Sequence, residues 1–307
     1  MGWQEGYCGL AREADYAVST APTHYLPVKD FTVEEQTGRV VVGPWGTSVP
    51  EPRLASLIVR GQFQFEPQPD PFGLVLTGLL GVPRTTTVTS GVYQHVFEPR
   101  GDRPSYSLEG AVGDLAVRAV GAKFPSLTIA APVGGFLQAM AEFVAREMRT
   151  VGMATASYAA EEAATWNNTT LTLSGTAEPL AVGVSVSIQA PLVPLEAYGS
   201  GRRIAALLPS GPIGPGVALT IFGQTSAWLS YARAETELSL RVLATGALVG
   251  GSSYSLTIDC PRLRAGSAMV LSQVRVHPVA VGQFSVFASP AAVRGVSVTL
   301  VNITAGY

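Results

Sequence analysis

Catalysis and ligand binding need particular residue types at particular spacings, and this chain of 307 residues holds few of them. Its three histidines, His24, His95 and His277, are widely separated. None stands at a two-histidine helical spacing or beside a cysteine, so no zinc site is expected. His95, inside "YQHVFEP", reads as a strand residue with a structural role. Cys8 and Cys260 form no CxxC or other metal spacing and are expected as free, reduced thiols. The carboxylate pairs Glu34–Glu35 and Glu161–Glu162 are immediate neighbours in sequence. Neighbouring side chains diverge, so they suit solvated loops better than general acid–base work. There is no GxSxG nucleophile elbow and no EF-hand calcium loop. "GSGRR" at 199–203 lacks the strand–loop–helix context of a phosphate loop. No catalytic, cofactor-binding or metal-ligating residues are therefore assigned, and the chain is not expected to be an enzyme.

Composition narrows the remaining classes. The chain is 47% hydrophobic but only 14% charged, well below the usual quarter. Either its surface is largely Ser, Thr, Gly and Gln, or much of it is buried in an assembly. A net charge of −2 offers no basic grip on nucleic acid and no polybasic membrane patch. The start, "MGWQEGYCGLAREADY", has neither the basic nor the apolar region of a secretory signal. No stretch reaches the roughly 18 apolar residues of a membrane span. Hence the sequons at Asn167, Asn168 and Asn302 are not expected to carry glycans. Trp3, Trp45, Trp166 and Trp228 are scattered. Trp3 and Trp45 fall in irregular segments, where they would either anchor an arm on a neighbour or pack locally.

The elements that would position these residues are mostly strands. Runs rich in Val, Ile, Leu and Thr, cut by Gly, Pro and Ser, occur at 39–43, 55–67, 170–175, 182–191, 217–223, 235–244, 254–261 and 295–302. Val184, Val186 and Ile188 alternate with Ser185, Ser187 and Gln189, and Leu238, Leu240 and Val242 with Glu237, Ser239 and Arg241. That is the period of half-buried antiparallel strands. One short helix is predicted over 70–81, with Asp70 as cap, Pro71 in the first turn and Gly81 at the exit. Its stripe of Phe72, Val75, Leu76, Leu79 and Leu80 suits a plug over the open side of a sheet. The stretch 136–152 is ambiguous. Phe136, Leu137, Met140, Val144 and Met148 make a helical stripe, yet its neighbours are strands. Loops are expected at 32–53, 83–92, 99–104, 153–166 and 196–216. The Ala-rich shift at 153–166 is the best boundary, dividing the chain into units at 1–160 and 161–307. "SLTIAAP" at 126–132 is echoed by "SLTIDCP" at 255–261. If the echo marks a doubled unit, both runs should be strands that end at a proline in corresponding positions.

Four segments resemble the tail tube (major tail) proteins of long-tailed bacteriophages. "GYCGLAREADYAVSTAPTHYLPV" (6–28) is similar to the family's opening arm and first strand. Gly9, Glu13 and Tyr16 match it, while Ala17 stands where a glycine is usual. "GQFQFEPQPDPFGLVLTGLLG" (61–81) resembles a strand running into a short helix. "GVYQHVFEP", "PSYSLEG" and "GAKFPSLTIAAPVGGFLQAMAEFVA" (91–145) resemble the family's Tyr-x-His-x-Phe, Ser-Leu-x-x-Glu and Gly-x-Lys-Phe strands. "VSVTLVNITAGY" resembles a closing strand that ends in Asn and an aromatic. The resemblance implies a mainly β fold: two antiparallel sandwich or barrel units in tandem, a flanking helix, and an extended N-terminal arm and loops. It also implies strand, not helix, for 136–149.

The function implied is that of a structural virion protein, a tube subunit whose rings stack into a hollow tube for DNA passage during ejection. Partners would be further copies of the chain, the tape measure protein, and terminator and tail tip proteins. A trimer with pseudo-sixfold symmetry is favoured and a hexamer is the alternative. DNA would pass without specific binding, and no membrane is involved. The site of action would be the virion tail, assembled in the host cytoplasm. Other readings are a different tail ring component, such as a terminator or distal tail protein, or a carbohydrate-binding or adhesive β-sandwich.

Overall fold

A computed structural model describes residues 7–307 except 43–50, 113–114, 160–162, 179–180, 223–229, 232, 250, 275–276 and 287–294. The fold is mainly β. The strands of the first half are β1 (Tyr7–Arg12), β2 (His24–Val42), β3 (Glu51–Phe65), β4 (Arg84–Thr89), β5 (Val92–Phe97), β6 (Tyr106–Val112), β7 (Leu115–Pro132), β8 (Gln138–Ala145) and β9 (Glu147–Val151). One helix, α1 (Pro69–Leu80), follows β3. The second half contributes β10 (Thr169–Leu173), β11 (Thr176–Ala177), β12 (Ala181–Gln189), β13 (Leu192–Leu195), β14 (Ala206–Pro209), β15 (Gly214–Phe222), β16 (Leu238–Val249), β17 (Ser252–Val274), β18 (His277–Val286) and β19 (Ser297–Asn302).

Six strands of the first half close into a barrel in the order β1–β2–β3–β8–β7–β6 and back to β1, every neighbour antiparallel. Strand β7 is long enough to serve two neighbourhoods. Its first part pairs with β6 and β9, and its second with β8 and β12.

The pairing order recurs in the second half. β12 pairs with β15, β15 with β18, β18 with β17, β17 with β16 and β16 with β10, all antiparallel. β10 pairs with β11, the short strand that leads into β12, where β1 pairs with the start of β2. β19 lies on the first part of β17 as β9 lies on β7. Two irregularities recur unchanged with the order, and a third recurs in place but with one residue more in the second half. Pairing slips between Val28 and Asp30 on β2 and between Ala181 and Gly183 on β12. Tyr106 faces Ala122 and Leu108 faces Ala119; likewise Leu238 faces Leu263 and Leu240 faces Cys260. A third slip separates Lys123 from Ser126 on β7, and Ala265 from Met269 on β17. Bulges are positional features that bend a strand, so shared bulges are a stricter match than shared order. A helical turn, with the Ala234 N–H donating to the Ser230 carbonyl at 2.9 Å, stands between β15 and β16 where α1 stands between β3 and β6.

The halves are joined by two strand pairings, β7 with β12 and β5 with β19, and by one continuous apolar core. Alternation explains that core. Val184, Val186 and Ile188 are buried, and Ser185, Ser187 and Gln189 are not; Leu238, Leu240 and Val242 are buried opposite an exposed Arg241. Of the stretch 136–149, for which the resemblance implied strand, 138–145 lies in β8 and 147–149 in β9, with a break at Arg146 and only an isolated bridge at Phe136; Ala139, Ala141, Phe143 and Ala145 turn inward.

Several expectations are corrected. The segment 32–53 is not a loop where described, because β2 and β3 form a long hairpin through it. Glu34 and Glu35 are both exposed there, on opposite faces of β2, and are therefore strand residues. Strand also occupies 84–89, 206–209 and 214–216. Gln68, not Asp70, caps α1, because Pro69 takes the first helical position and fixes the chain entry. The helix is buried on all sides from Pro71 to Leu80 and not along one stripe. It packs on β2 and β7 and also on β17 and β19, so strands of both halves enclose it. Finally, the "SLTI" runs hold different stations. Ser126–Ile129 lies in the second part of β7, whereas Ser255–Ile258 lies in the first part of β17. β7 ends at Pro132, but β17 continues past Pro261 to Val274.

Candidate assembly surface

The pairing pattern creates one sheet that runs through both halves, in the order β2–β3–β8–β7–β12–β15–β18–β17. One face is core: Phe63, Leu127, Ile129, Val186 and Leu219 are almost fully buried. The other face is polar and, where described, partly open: it carries Glu34, Arg60 and Glu142 on β2, β3 and β8, and there Ile58 and Val144 lie under Ile204 and Leu207 of the β13–β14 hairpin. On it Thr128 Oγ1 donates to Ser187 Oγ at 3.4 Å, and Gln64 Nε2 donates to Gln138 Oε1 at 3.2 Å. Among the described residues, each end of the sheet has a free edge. β2 has β1 on its outer side only at His24–Pro27, and from Val28 onward no strand covers that side. The last part of β17 has β18 on one side and none on the other. An open edge is a row of unpaired N–H and C=O groups and a template for another chain.

The N-terminal arm is fixed by two buried carboxylates. Glu13 Oε1 accepts from Ser107 Oγ and from the Gly121 N–H, both at 2.8 Å, and Oε2 accepts from the Ala17 N–H at 2.9 Å. Glu109 accepts from Tyr7 Oη at 2.9 Å and from Arg118 Nε and Nη2 at 3.0 and 2.7 Å. Burial raises the Tyr7 phenol above its ordinary range. A buried carboxylate needs compensation, which Arg118 supplies to Glu109 as an ion pair and three hydrogen-bond donors supply to Glu13.

The C-terminal tail is clamped by His95. Its Nε2 lies 3.0 Å from Asn302 Oδ1 and 2.9 Å from the Thr304 carbonyl, two acceptors, so Nε2 carries the proton. Thr85 Oγ1 then donates to Nδ1 at 2.8 Å. The Asn302 amide donates to the Pro69 carbonyl at 3.0 Å and to Tyr307 Oη. Tyr307 Oη donates to the Asp70 carbonyl at 2.8 Å, and its ring packs edge-on to His95 with centroids 4.8 Å apart. This ties the tail to β5 and to the start of α1. His95 thus has the structural role expected of it. Asn302, a sequon residue, is fully buried with both amide atoms engaged.

The other singled-out residues do not converge. His24 contacts Thr23 at the start of β2, and His277 lies in β18. Cys8 and Cys260 are free and buried; burial pushes the Cys8 thiol far up and that of Cys260 to about 12. Among the described residues, no three His, Cys, Asp or Glu gather as a metal site, and no helix is long and apolar enough to cross a membrane. "GSGRR" is a turn whose Arg203 pairs with the buried Glu147 and whose Arg202 carbonyl accepts from the Leu57 N–H at 2.7 Å. Trp166 sits half-exposed in a single 3₁₀ turn, Trp166–Asn168. Trp3, Trp45, Trp228, Glu161 and Glu162 lie outside the described residues. A groove of about 480 Å³ runs over β2, β3 and β8, lined by Glu34, Arg60, Gln62 and Glu142 with Phe143 at its floor. It holds charges of both signs and no Ser, Cys or His that could attack a substrate.

A family model described as phage tail tube protein matches residues 3–266. The chain belongs to the phage tail tube proteins. No curated protein shows a significant match. The role is accordingly that of a structural component of the phage tail. The family-like residues of this tail tube protein are those that hold its arm. A Cβ on Gly9 would come within 2.7 Å of Pro22, so the arm can fold back only over glycine. Glu13 makes the three bonds given above. Lys123, of the Gly-x-Lys-Phe strand, lies 6.0 Å from the ring centroid of Tyr16. Ala17 holds φ +62°, a left-handed conformation that glycine adopts without strain. None of these hydrogen-bond roles is visible in the sequence, although the arm pattern marked Gly9, Glu13 and Tyr16 together.

Proposed function

We propose that this tail tube protein is the major tube subunit, with two homologous β units at 1–160 and 161–307, and that three copies close a ring with pseudo-sixfold symmetry. The observation that carries the proposal is the recurrence of the same pairing order, with the same slips, in both halves. Rings stack into a hollow tube through which DNA leaves during ejection. The partners are further copies, the tape measure protein and the terminator and tip proteins, and assembly takes place in the host cytoplasm.

The two-layer arrangement supports a particular orientation. The core face of the continuous sheet is covered by β1, β6, β10 and β16, so closing that sheet into a ring turns its polar face inward, with the β13–β14 hairpin against β3 and β8 on that face. Three chains of eight strands make a wall of 24 strands. At about 4.8 Å between strands, that wall has a circumference of roughly 115 Å and a backbone diameter of about 37 Å, larger once the strands tilt. Such a bore admits duplex DNA. Its lining would be Ser, Thr and Gln with charges of both signs at Glu34, Arg60 and Glu142, and not the row of Lys or Arg that would hold phosphates.

Negative-stain microscopy of the concentrated protein, alone and with the tape measure protein, tests the function. Hollow tubes are expected. A species that stays monomeric after prolonged incubation contradicts the proposal, and a single ring that never stacks points to a terminator or distal tail protein instead.

A further inference from the structure

The two free edges of the continuous sheet are related to its internal seam. Within one chain, the halves join where β7 lies against β12, Ser126–Pro132 against Gly183–Gln189. The recurrent pairing assigns each seam residue a counterpart. Val186 corresponds to Val33, because the shared slip sets Asp30 level with Gly183. Ile129 faces Ala139 on β8 as Leu271 faces Ala280 on β18. Ala139 and Ala280 correspond in turn, through Phe65 on β3 and Ile221 on β15. The counterparts of the seam strands are therefore the outer side of β2 and the last part of β17, the two edges left open.

We infer that β2 of one copy pairs antiparallel with β17 of the next, repeating the internal seam, with Asp30–Gln36 against Ala268–Val274 and Val33 opposite Leu271. The occupant of each edge is a second copy of this chain. A second observation supports it. Ala265–Val274, "AGSAMVLSQV", carries no charge and no proline. Charges and prolines are what protect edge strands that must stay unpaired, and this edge has neither. The inference rests on the proposed self-assembly and adds to it the strands, their direction and their register.

Cysteine pairs in the full-length protein test it. Antiparallel partners lie about 4.5–5.5 Å apart at Cα, within the range a disulfide spans. Glu35→Cys with Met269→Cys, and Glu34→Cys with Val270→Cys, are in the inferred register. Glu35→Cys with Gln273→Cys is four residues out. The native thiols, being buried, do not compete. On oxidation of assembled tubes, the in-register variants should lose most of their monomer band on a non-reducing gel and accumulate covalent oligomers. The off-register variant should keep its monomer band. Tubes that form but cross-link only out of register, or not at all, overturn the inference while leaving the tube function intact. Absence of tubes from the wild-type protein overturns both. If the cysteine variants fail to assemble, a map of the wild-type tube decides the point, since any strand other than β17 against β2 overturns the inference.

Discussion

Leu108 and Leu240 occupy the same station in the two halves of the chain. Each is almost fully buried, and each sits on the middle strand of a trio, Leu108 between Leu10 and Ala119, Leu240 between Leu173 and Cys260. Two residues before each, at Tyr106 and Leu238, the facing strand jumps by three positions. Identical order alone could arise from the short menu of antiparallel barrels. A shared slip at a shared core position is much harder to reach twice.

The arm offers a clean test of local strain. Ala17 at φ +62° is held against the steric preference of an L-residue. Ala17→Gly should raise stability by about 1 kcal/mol, read as a higher thermal midpoint. Ala17→Val should lower it, because a β-branched side chain fits the left-handed region worst. A midpoint unmoved by either change would show that the arm does not contribute to the cooperative unit.

Glu13 should be far more sensitive than any exposed carboxylate. Glu13→Ala leaves the Ser107 hydroxyl and two backbone N–H groups without their acceptor. The expected cost is about 3–5 kcal/mol, with faster proteolysis ahead of β2. Glu34→Ala, on an exposed strand face, should cost well under 1 kcal/mol in the monomer.

The clamp around His95 predicts a pH dependence. Burial lowers the His95 pKa, although its bonds to Asn302 and Thr304 oppose the shift. A histidine kept neutral in the fold binds its proton more readily when unfolded. Stability is therefore full above the ordinary histidine value of about 6.5 and falls as pH drops below it. Denaturation midpoints of the wild type should decline between about pH 7 and 5, and His95→Gln should show a shallower decline. Equal slopes in the two proteins would remove His95 from the account of acid sensitivity.

The polar face of the sheet should tolerate assembly but not added positive charge. Ser185→Lys combined with Ser187→Lys leaves both the seam backbone and the core untouched. Tubes of normal appearance are expected, together with slowed DNA ejection from virions carrying the variant. Normal ejection kinetics would place this face away from the DNA path.

Much of the fold was legible because alternation is a strong signal where one face is buried and the other polar, as in Val184–Gln189. It failed where the inward face is small. On β8 that face is Ala139, Ala141, Phe143 and Ala145, and alanine hardly registers as apolar, so the larger residues around it suggested a helix. α1 misled in the opposite direction. Its stripe was real, but Gly73 and Gly78 let Tyr307 and Phe124 approach its other side, and no local pattern shows that. The "SLTI" echo fell on stations that do not correspond. Residues that do correspond, such as Tyr106 and Leu238 or Gly110 and Val242, share burial and pairing but not identity. The assembly surface was illegible for a related reason: an edge is defined by what fails to pair, which depends on the register of every strand before it.

The number of chains in one ring distinguishes a doubled β unit from a single one. A reconstruction of the assembled tube should show three chains per ring, each filling two quasi-equivalent positions, with the β7–β12 seam inside a chain alternating with the β17–β2 contact between chains. Six chains per ring, or halves of the chain that fail to superpose about the tube axis, would contradict the doubled unit.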